Sequence, residues 1–541
     1  MNPLRKAAAA AALAFTLVSG PGRAAGMISD PTGLWFDPAQ PGWGLEVAQQ
    51  GETAFAVIFT YDASHKPVWY VASNMAASTT DFPEIPPAAN GTLYRTTGPA
   101  FSAATFDPHG VAVTPVGTLQ ISYTNIVSRI LSVTYTIDGV QVSKILQPQT
   151  WSANAQDLIG QYSGGLTTLG PADSRCPAAP VPLPAPPQPA SFSVSAGSAP
   201  DHVNIAWGTG IDTACTVDAS YSRQGVLATL TGPLACGPIG NPTSVIGTLT
   251  VSEITANAAG FSGNARVDLP QPSSCGYVET FGGVLSQASA RSGINPDPTG
   301  VWFRPDESGW GVILTQQGAN IFAALFVYGA DGKPAWWVAS NVVDTGAPVN
   351  LLVGEAFSGT LYSATGPYLG APDQAAFSAT AVGTLRIAYV GGTDLISLAY
   401  TVDGVTVNKT VQRETWSSNA AFLSGTFTGG LFPLESACGN TGIFAPAPVA
   451  FTATPGSGSG VQLSWTDASA GACLLDATYT QAGQLATLAG PVQCGSAATP
   501  AGLVTISSAS MSDTGFAGFT HFTGANCTSA GFVGGVKRLY Q

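Results

Sequence analysis

Few residues of this chain could carry covalent or acid–base chemistry, and most of them do not recur where the rest of the sequence does. The 541 residues contain four histidines, His65, His109, His202 and His521, and eight cysteines. The stretch Thr32-Gly33-Leu34-Trp35-Phe36, Gly42-Trp43-Gly44, Gln49-Gln50-Gly51, Lys66-Pro67 and Trp69 returns as Thr299-Gly300-Val301-Trp302-Phe303, Gly309-Trp310-Gly311, Gln316-Gln317-Gly318, Lys333-Pro334 and Trp336. Any proposed site can therefore be checked against a second copy in the same chain. His65 is matched by Gly332 and the other histidines have no counterpart. A duplicated Ser-His-Asp or Cys-His site is thus excluded, leaving room only for a site in one copy. There is no Gly-x-Ser-x-Gly elbow, His-Glu-x-x-His helix or phosphate-binding glycine loop. The acidic residues do not form a calcium-loop pattern. Asp138 and Asp403 recur, each before Gly in a tight turn. Asp218 and Asp476 recur three residues after a cysteine with no second shared carboxylate, which suits structural hydrogen bonding rather than paired acid–base work.

The cysteines fall four to a module: Cys176, Cys215, Cys236 and Cys275, then Cys438, Cys473, Cys494 and Cys527. An even count in an exported chain indicates two disulfides per module. The middle pair keeps its spacing while the outer spacings drift. That favours Cys215–Cys236 and Cys473–Cys494 as local staples, with Cys176–Cys275 and Cys438–Cys527 joining module ends. Zinc is disfavoured, since no Cys-x-x-Cys pair exists and no histidine recurs beside the cysteines. The expected cofactor and metal sets are empty.

Tryptophan is the residue that does repeat. Trp35, Trp43, Trp69, Trp151 and Trp207 match Trp302, Trp310, Trp336, Trp416 and Trp465. Burial in cores is the expectation for Trp35, Trp151, Trp207 and their partners. Trp43 and Trp310 lie between glycines, where backbone is open to close approach, and are candidates to stack on a sugar ring or a partner side chain. Lys144 and Lys409 fall in phase with the inward-facing valines around them, and Gln49 and Gln316 follow the phase of Leu45 and Val312. Together these four polar side chains are candidates for a ligand site in a barrel mouth.

Strands must position these residues. Phe55, Val57, Phe59 and Tyr61 alternate with smaller residues, as do Phe322, Ala324, Phe326 and Tyr328. Leu131, Val133, Tyr135 and Ile137 alternate with polar residues up to the Asp138-Gly139 hairpin turn. The expected class is all-β, in tandem A-B-A′-B′ modules. A is an up-and-down meander barrel, with a two-sheet sandwich as the alternative, and B is a disulfide-stapled β-sandwich or small barrel. The boundaries are a signal peptide at 1–25, A at 26–155, B at 156–290, A′ at 291–420 and B′ at 421–541. Arg5 and Lys6 before the apolar run Ala7 to Val18, followed by Gly22, Ala24 and Ala25, form the secretory signal. Pro177 to Pro189 forms a Pro/Ala-rich surface loop within B. A net charge of −13, with no basic patch, argues against nucleic acid and anionic membrane surfaces as partners.

The A modules resemble, through Trp-Phe-x-Pro-x-x-Ser-Gly-Trp-Gly and Gln-Gln-Gly, a repeat of uncharacterised secreted bacterial proteins. Gly33-Leu34-Trp35 and Gly300-Val301-Trp302 also resemble the Gly-x-Trp of calycin barrels, the lipocalin and avidin kind. That resemblance implies a basic residue of the last strand packed on the Trp: Arg413 stands there in the second copy and Pro148 in the first. The expected function is an exported, non-enzymatic protein, secreted, periplasmic or cell-surface associated, that binds an extracellular glycan or protein. The alternatives are a small-ligand carrier using the A barrels and an extracellular hydrolase.

Overall fold

The computed structural model describes residues 29–538 except 41, 78–87, 104, 126–127, 167–169, 172–189, 209–211, 271–274, 288–295, 347–352, 369–376, 392, 439–446, 457–458, 468–470 and 496–500. The signal segment, Cys176 and the Pro177 to Pro189 stretch lie outside the described residues. Among the described residues, all regular structure beyond short 3-10 turns is β.

In the first A barrel, β1 (Gly33–Phe36), β2 (Gly44–Gln50), β3 (Thr53–Tyr61), β4 (Pro67–Ala77), β5 (Ala89–Thr97), β6 (Ala112–Asn125), β7 (Ile130–Ile137) and β8 (Val140–Pro148) pair in sequence order and close on themselves. Closure removes the two free edges that an open meander would expose to other chains. The seam is short: β1 pairs with β8 at Trp35↔Pro148 and Phe36↔Gln147, and just past β8 the Gln149 N–H donates to Leu34 O at 2.7 Å. Asp138 and Asp403 each take a positive φ of 49° before a glycine at 82°. Consecutive left-handed residues give the hairpin turn whose twist matches its strands, and Asp-Gly is the pair that tolerates it. Eight strands from Gly300–Phe303 to Val405–Arg413 form the second barrel in the same order.

The chain forms two compact units, neither continuous in sequence. One gathers Met1–Trp151, Gln224–Val226 and Pro298–Ser418, which unites the two A barrels; the other gathers Ser152–Arg223, Leu227–Asp297 and Asn419–Gln541. Within the first unit the β3 alternation has a use the sequence does not display. Ala54, Ala56 and Ile58, from one face of the strand, join Trp35, Leu119 and Tyr135 in the lumen core. Val57, Phe59 and Tyr61, from the other, face outward and pack with Ile313, Phe322, Phe326 and Trp336 of the second barrel. An eight-stranded ring has an interior just wide enough for side chains to fill, so bulk on β3 is accommodated better outside it.

In the second unit, strands from Gly160–Leu166 to Gly276–Leu285 close through the pairing of those two, with the two-residue strand Gly170–Pro171 added on the latter. Strands from Gly425–Ser436 to Thr528–Lys537 form the other ring. Ser163 Oγ donates to Gly429 O at 2.8 Å and Asn257 Nδ2 to Ala517 O at 2.9 Å, tying the rings together. Cys215 is bonded to Cys236, Cys473 to Cys494 and Cys438 to Cys527. Cys275 is disulfide-bonded, and the other half of its expected pair, Cys176, lies outside the described residues.

Candidate functional site at the mouths of the A barrels

Lys144 extends from β8 in the phase of the buried Leu146, toward the end of the barrel closed by the β1–β2 loop. Its side chain is 11% exposed, so its charge is largely withdrawn from water. Around it stand the half-buried Trp43 ring, 5.3 Å from Nζ, and the Asp37 carboxylate at 3.9 Å. Nζ also donates to the side-chain oxygen of Gln40. Burial lowers the pKa of Lys144, with Asp37 opposing the shift. The second barrel rebuilds the same arrangement. Lys409 Nζ lies 6.0 Å from the Trp310 ring and 2.7 Å from Glu307 Oε1, and that carboxylate also accepts the Trp310 indole N–H at 3.2 Å. Arg304 Nη1 stands 3.5 Å from Glu307. A lysine, a tryptophan and an acceptor from the loop between the barrel's first two strands thus form one cluster per barrel. Each cation has the partner that a nearly buried charge requires.

The other barrel completes each mouth. Gly98 N–H donates to Gly332 O at 3.0 Å and Phe101 N–H to Tyr328 O at 2.9 Å, seating the β5–β6 loop of the first barrel on the second. There the Phe101 ring lies 4.8 Å from Trp337 and near Tyr400. Reciprocally, Gly366 N–H donates to His65 O and His65 Nδ1 meets Gly366 O at 2.9 Å. The repeated glycines serve this approach: Gly42 has φ +105° and Gly309 +127°, and a Cβ there would collide with Phe377 and Val111 of the opposite barrel. The crevice left beside Phe101, Trp310, Tyr400, Glu307 and Lys409 has about 10 Å³ of free volume, enough for about one water.

Of the residues singled out from the sequence, Trp43 is brought to Lys144 and Trp310 to Lys409. Trp310 is only 5% exposed, so it has no open face for a sugar to stack on, and the stacking expectation does not fit it. Gln49 and Gln316 do not join the clusters. Each turns its amide back onto the following tight turn, Gln49 Nε2 to Gly51 O and Gln316 Nε2 to Gly318 O, both at 3.0 Å. The next residue of each Gln-Gln-Gly motif carries the longer-range role. Gln50 donates to Glu414 O at 2.9 Å and accepts from Trp416 N–H at 3.0 Å. Gln317 donates to Gln149 O and accepts from Trp151 N–H, both at 2.9 Å. Trp69 Nε1 donates to Val327 O and Trp336 Nε1 to Thr60 O. Trp151 and Trp416, expected in cores, pack against Phe322 and Phe55 across the same boundary. Bonds exchanged in this way make the contact isologous, as in a symmetric dimer, although one chain supplies both halves.

Gln40, Glu307 and Asp37 escape a sequence reading because the acceptor changes type between the copies, so comparing them discards it. Arg413 lies 4.4 Å over the Trp302 ring, and Arg129, from the β6–β7 turn, stands 5.5 Å over Trp35 where Pro148 leaves the last strand without a cation. Elsewhere, Ser198 Oγ and His202 Nδ1, the latter at 3.4 Å, both approach Asp218 Oδ2. Hydrogen bonds from Ser198 hold this carboxylate below its usual pKa, with His202 adding to the effect. The carboxylate stands between hydroxyl and imidazole, so the histidine is not placed to take the serine proton as a nucleophilic site requires. Asp476 accepts from Gln462 at 3.4 Å. No cluster of metal-ligating side chains occurs among the described residues.

No protein-family model, no curated protein and no solved structure matches this chain significantly.

Proposed function

We propose that the protein is an exported, non-enzymatic β-repeat protein that binds an extracellular or cell-surface glycan on the outer walls of its A barrels. One observation carries this reading. Across β5 to β8 of the first barrel, Thr92, Thr118, Thr136 and Gln141 stand in register, and the second barrel matches them with Thr360, Thr384, Thr401 and Thr406. The neighbouring row is Asn90, Gln120, Thr134 and Ser143. Neighbouring strands lie about 4.8 Å apart, so each row sets hydroxyls and amides across roughly 14 Å. Such a wall offers many uncharged donors and acceptors to an uncharged hydroxylated polymer. Two walls in one chain add avidity where one polymer reaches both.

A small-ligand carrier fits less well, because the lumen is filled by side chains and each mouth is covered by the other barrel's loop. Disulfides and a chain in which no helix of the described residues is long and apolar enough to cross a membrane accord with an extracellular location. The Arg413–Trp302 stack supports the calycin-like reading of the A barrels.

Retention of the mature protein on a panel of insoluble polysaccharides tests the proposal. Thr118→Glu with Thr384→Glu should abolish retention on the bound polysaccharide and leave melting unchanged. Retention on none of the panel, or undiminished retention of the double variant, would refute it.

A further inference from the structure

The mouth clusters differ at one position with a chemical consequence. Where the second barrel places the Glu307 carboxylate against Lys409, the first places the Gln40 carboxamide against Lys144. A carboxylate beside an ammonium is an ion pair. A carboxamide beside an amine is an electrophile carrying a nitrogen leaving group.

We propose that Lys144 and Gln40 become joined by an intramolecular isopeptide bond between Lys144 Nζ and Gln40 Cδ, with release of ammonia. Lys144 Nζ already contacts the Gln40 amide oxygen, and the pair is separated by 104 residues in sequence. The Asp37–Gln40 turn, closed by Gln40 N–H to Asp37 O at 3.0 Å, sets amide and carboxylate on the same loop. Asp37 Oδ1 is engaged by the Ala39 N–H, and Oδ2 is the oxygen nearest Nζ. The lysine side chain is 11% and the aspartate 14% exposed, so bulk water competes weakly for either. Holding a nucleophile against its electrophile replaces an encounter step with a local one.

Asp37 takes a proton from the Lys144 ammonium, and the neutral amine attacks Cδ to form a tetrahedral centre. Asp37 passes that proton to Nε2, the Cδ–Nε2 bond breaks and ammonia leaves, and Asp37 takes the second proton from Nζ, which the departing ammonia carries away as ammonium. One C–N bond forms and one breaks, with no change of oxidation state, so no oxidant or activated co-reactant is required. Burial, which lowers the lysine pKa, favours the attacking form. In the second barrel the same step stops at the ion pair. Glu307 is held by Lys409, Arg304 and the Trp310 N–H, and loss of oxide from a carboxylate has no activating group here. The bond would tie the β1–β2 loop to β8 across the two-pair seam, where the ring has its fewest backbone pairings.

Peptide mapping of the full mature protein, reduced, alkylated and digested with trypsin, tests this. The expected product is a branched peptide joining the Gln40 and Lys144 segments, lighter than their sum by one ammonia and uncleaved after Lys144. Lys409 and Glu307 should be recovered unlinked in the same digest. Gln40→Glu, which copies the second mouth and keeps the fold as judged by near-UV dichroism, should give only linear peptides, and Asp37→Asn should lose the link while retaining both partners. Linear wild-type peptides with intact Gln40 and Lys144 would overturn the proposal. So would an undiminished link in either variant.

Discussion

The two A barrels agree in most of the contacts by which they hold each other, and where they differ inside that contact a single chain does what a homodimer could not. Gln50 and Gln317, Trp69 and Trp336, and Trp151 and Trp416 make reciprocal contacts. At one buried position of the contact the agreement fails. Glu46 of the first barrel is fully buried and accepts from Thr315 Oγ1, whereas the second barrel has Ile313 at the matching position. Burial pushes the Glu46 pKa up to about 8, with the Thr315 hydrogen bond opposing. A true homodimer must place each residue twice across its axis. One chain carrying both halves is free to bury a single carboxyl on one side and a hydroxyl on the other.

The sharpest test of this two-foldness is truncation of the exchanged tryptophans. Trp336→Ala and Trp69→Ala should each cost about 3–5 kcal/mol in denaturant melts, the usual loss for a buried Trp. Unequal costs would show that one barrel leans on the other more than the reverse.

The central asymmetry should appear as a pH dependence. A carboxyl with a folded-state pKa near 8 and an unfolded value near 4.5 keeps its proton in the native state while the unfolded chain releases one. Its favourable contribution is therefore complete below pH 4.5, falls as pH rises toward 8, and is gone above that. Glu46→Gln should stabilise the protein at pH 7 by on the order of 3 kcal/mol and flatten the profile between those limits. A slope unchanged by the substitution would mean that Glu46 is ionised in the folded state. Ile313→Glu should create a second slope of the same sign.

Gln50→Ala and Gln317→Ala each strand a half-buried carbonyl and a tryptophan backbone N–H, and should cost about 1–3 kcal/mol apiece by thermal melting. The smallest difference concerns the arginines over the first-strand tryptophans. Replacement by Met should cost about 0.5–2 kcal/mol, more for Arg413 than for Arg129 because its guanidinium sits closer to the ring. The reverse order would mean that the Arg129 hydrogen bonds to Ser29 and Asp30 outweigh the ring contact.

Much of the fold was legible because strand alternation and Asp-Gly turns are local signals. Leu131, Val133, Tyr135 and Ile137 bury the face their pattern declares. In β3 the pattern gave the phase but not its meaning: Val57, Phe59 and Tyr61 are the larger set, yet they face another barrel instead of the lumen. Alternation reports that two faces differ and is silent on what covers each. The candidate site was half legible. Lys144 and Lys409 declare themselves as charges at inward positions, whereas Gln40 and Glu307 reach them from an irregular loop whose path no periodicity encodes.

The sequence by itself determined an all-β chain of duplicated modules, its hairpin turns, and cysteines paired within modules, because each follows from local backbone preference or short spacing. The tertiary structure alone decided that the two A barrels fold onto each other, that Gln50 and Gln317 bridge them while Gln49 and Gln316 do not, and that a lysine meets an amide in one mouth and a carboxylate in the other. Those contacts join residues far apart in the chain. They exist only once closed rings fix the directions in which side chains leave their strands.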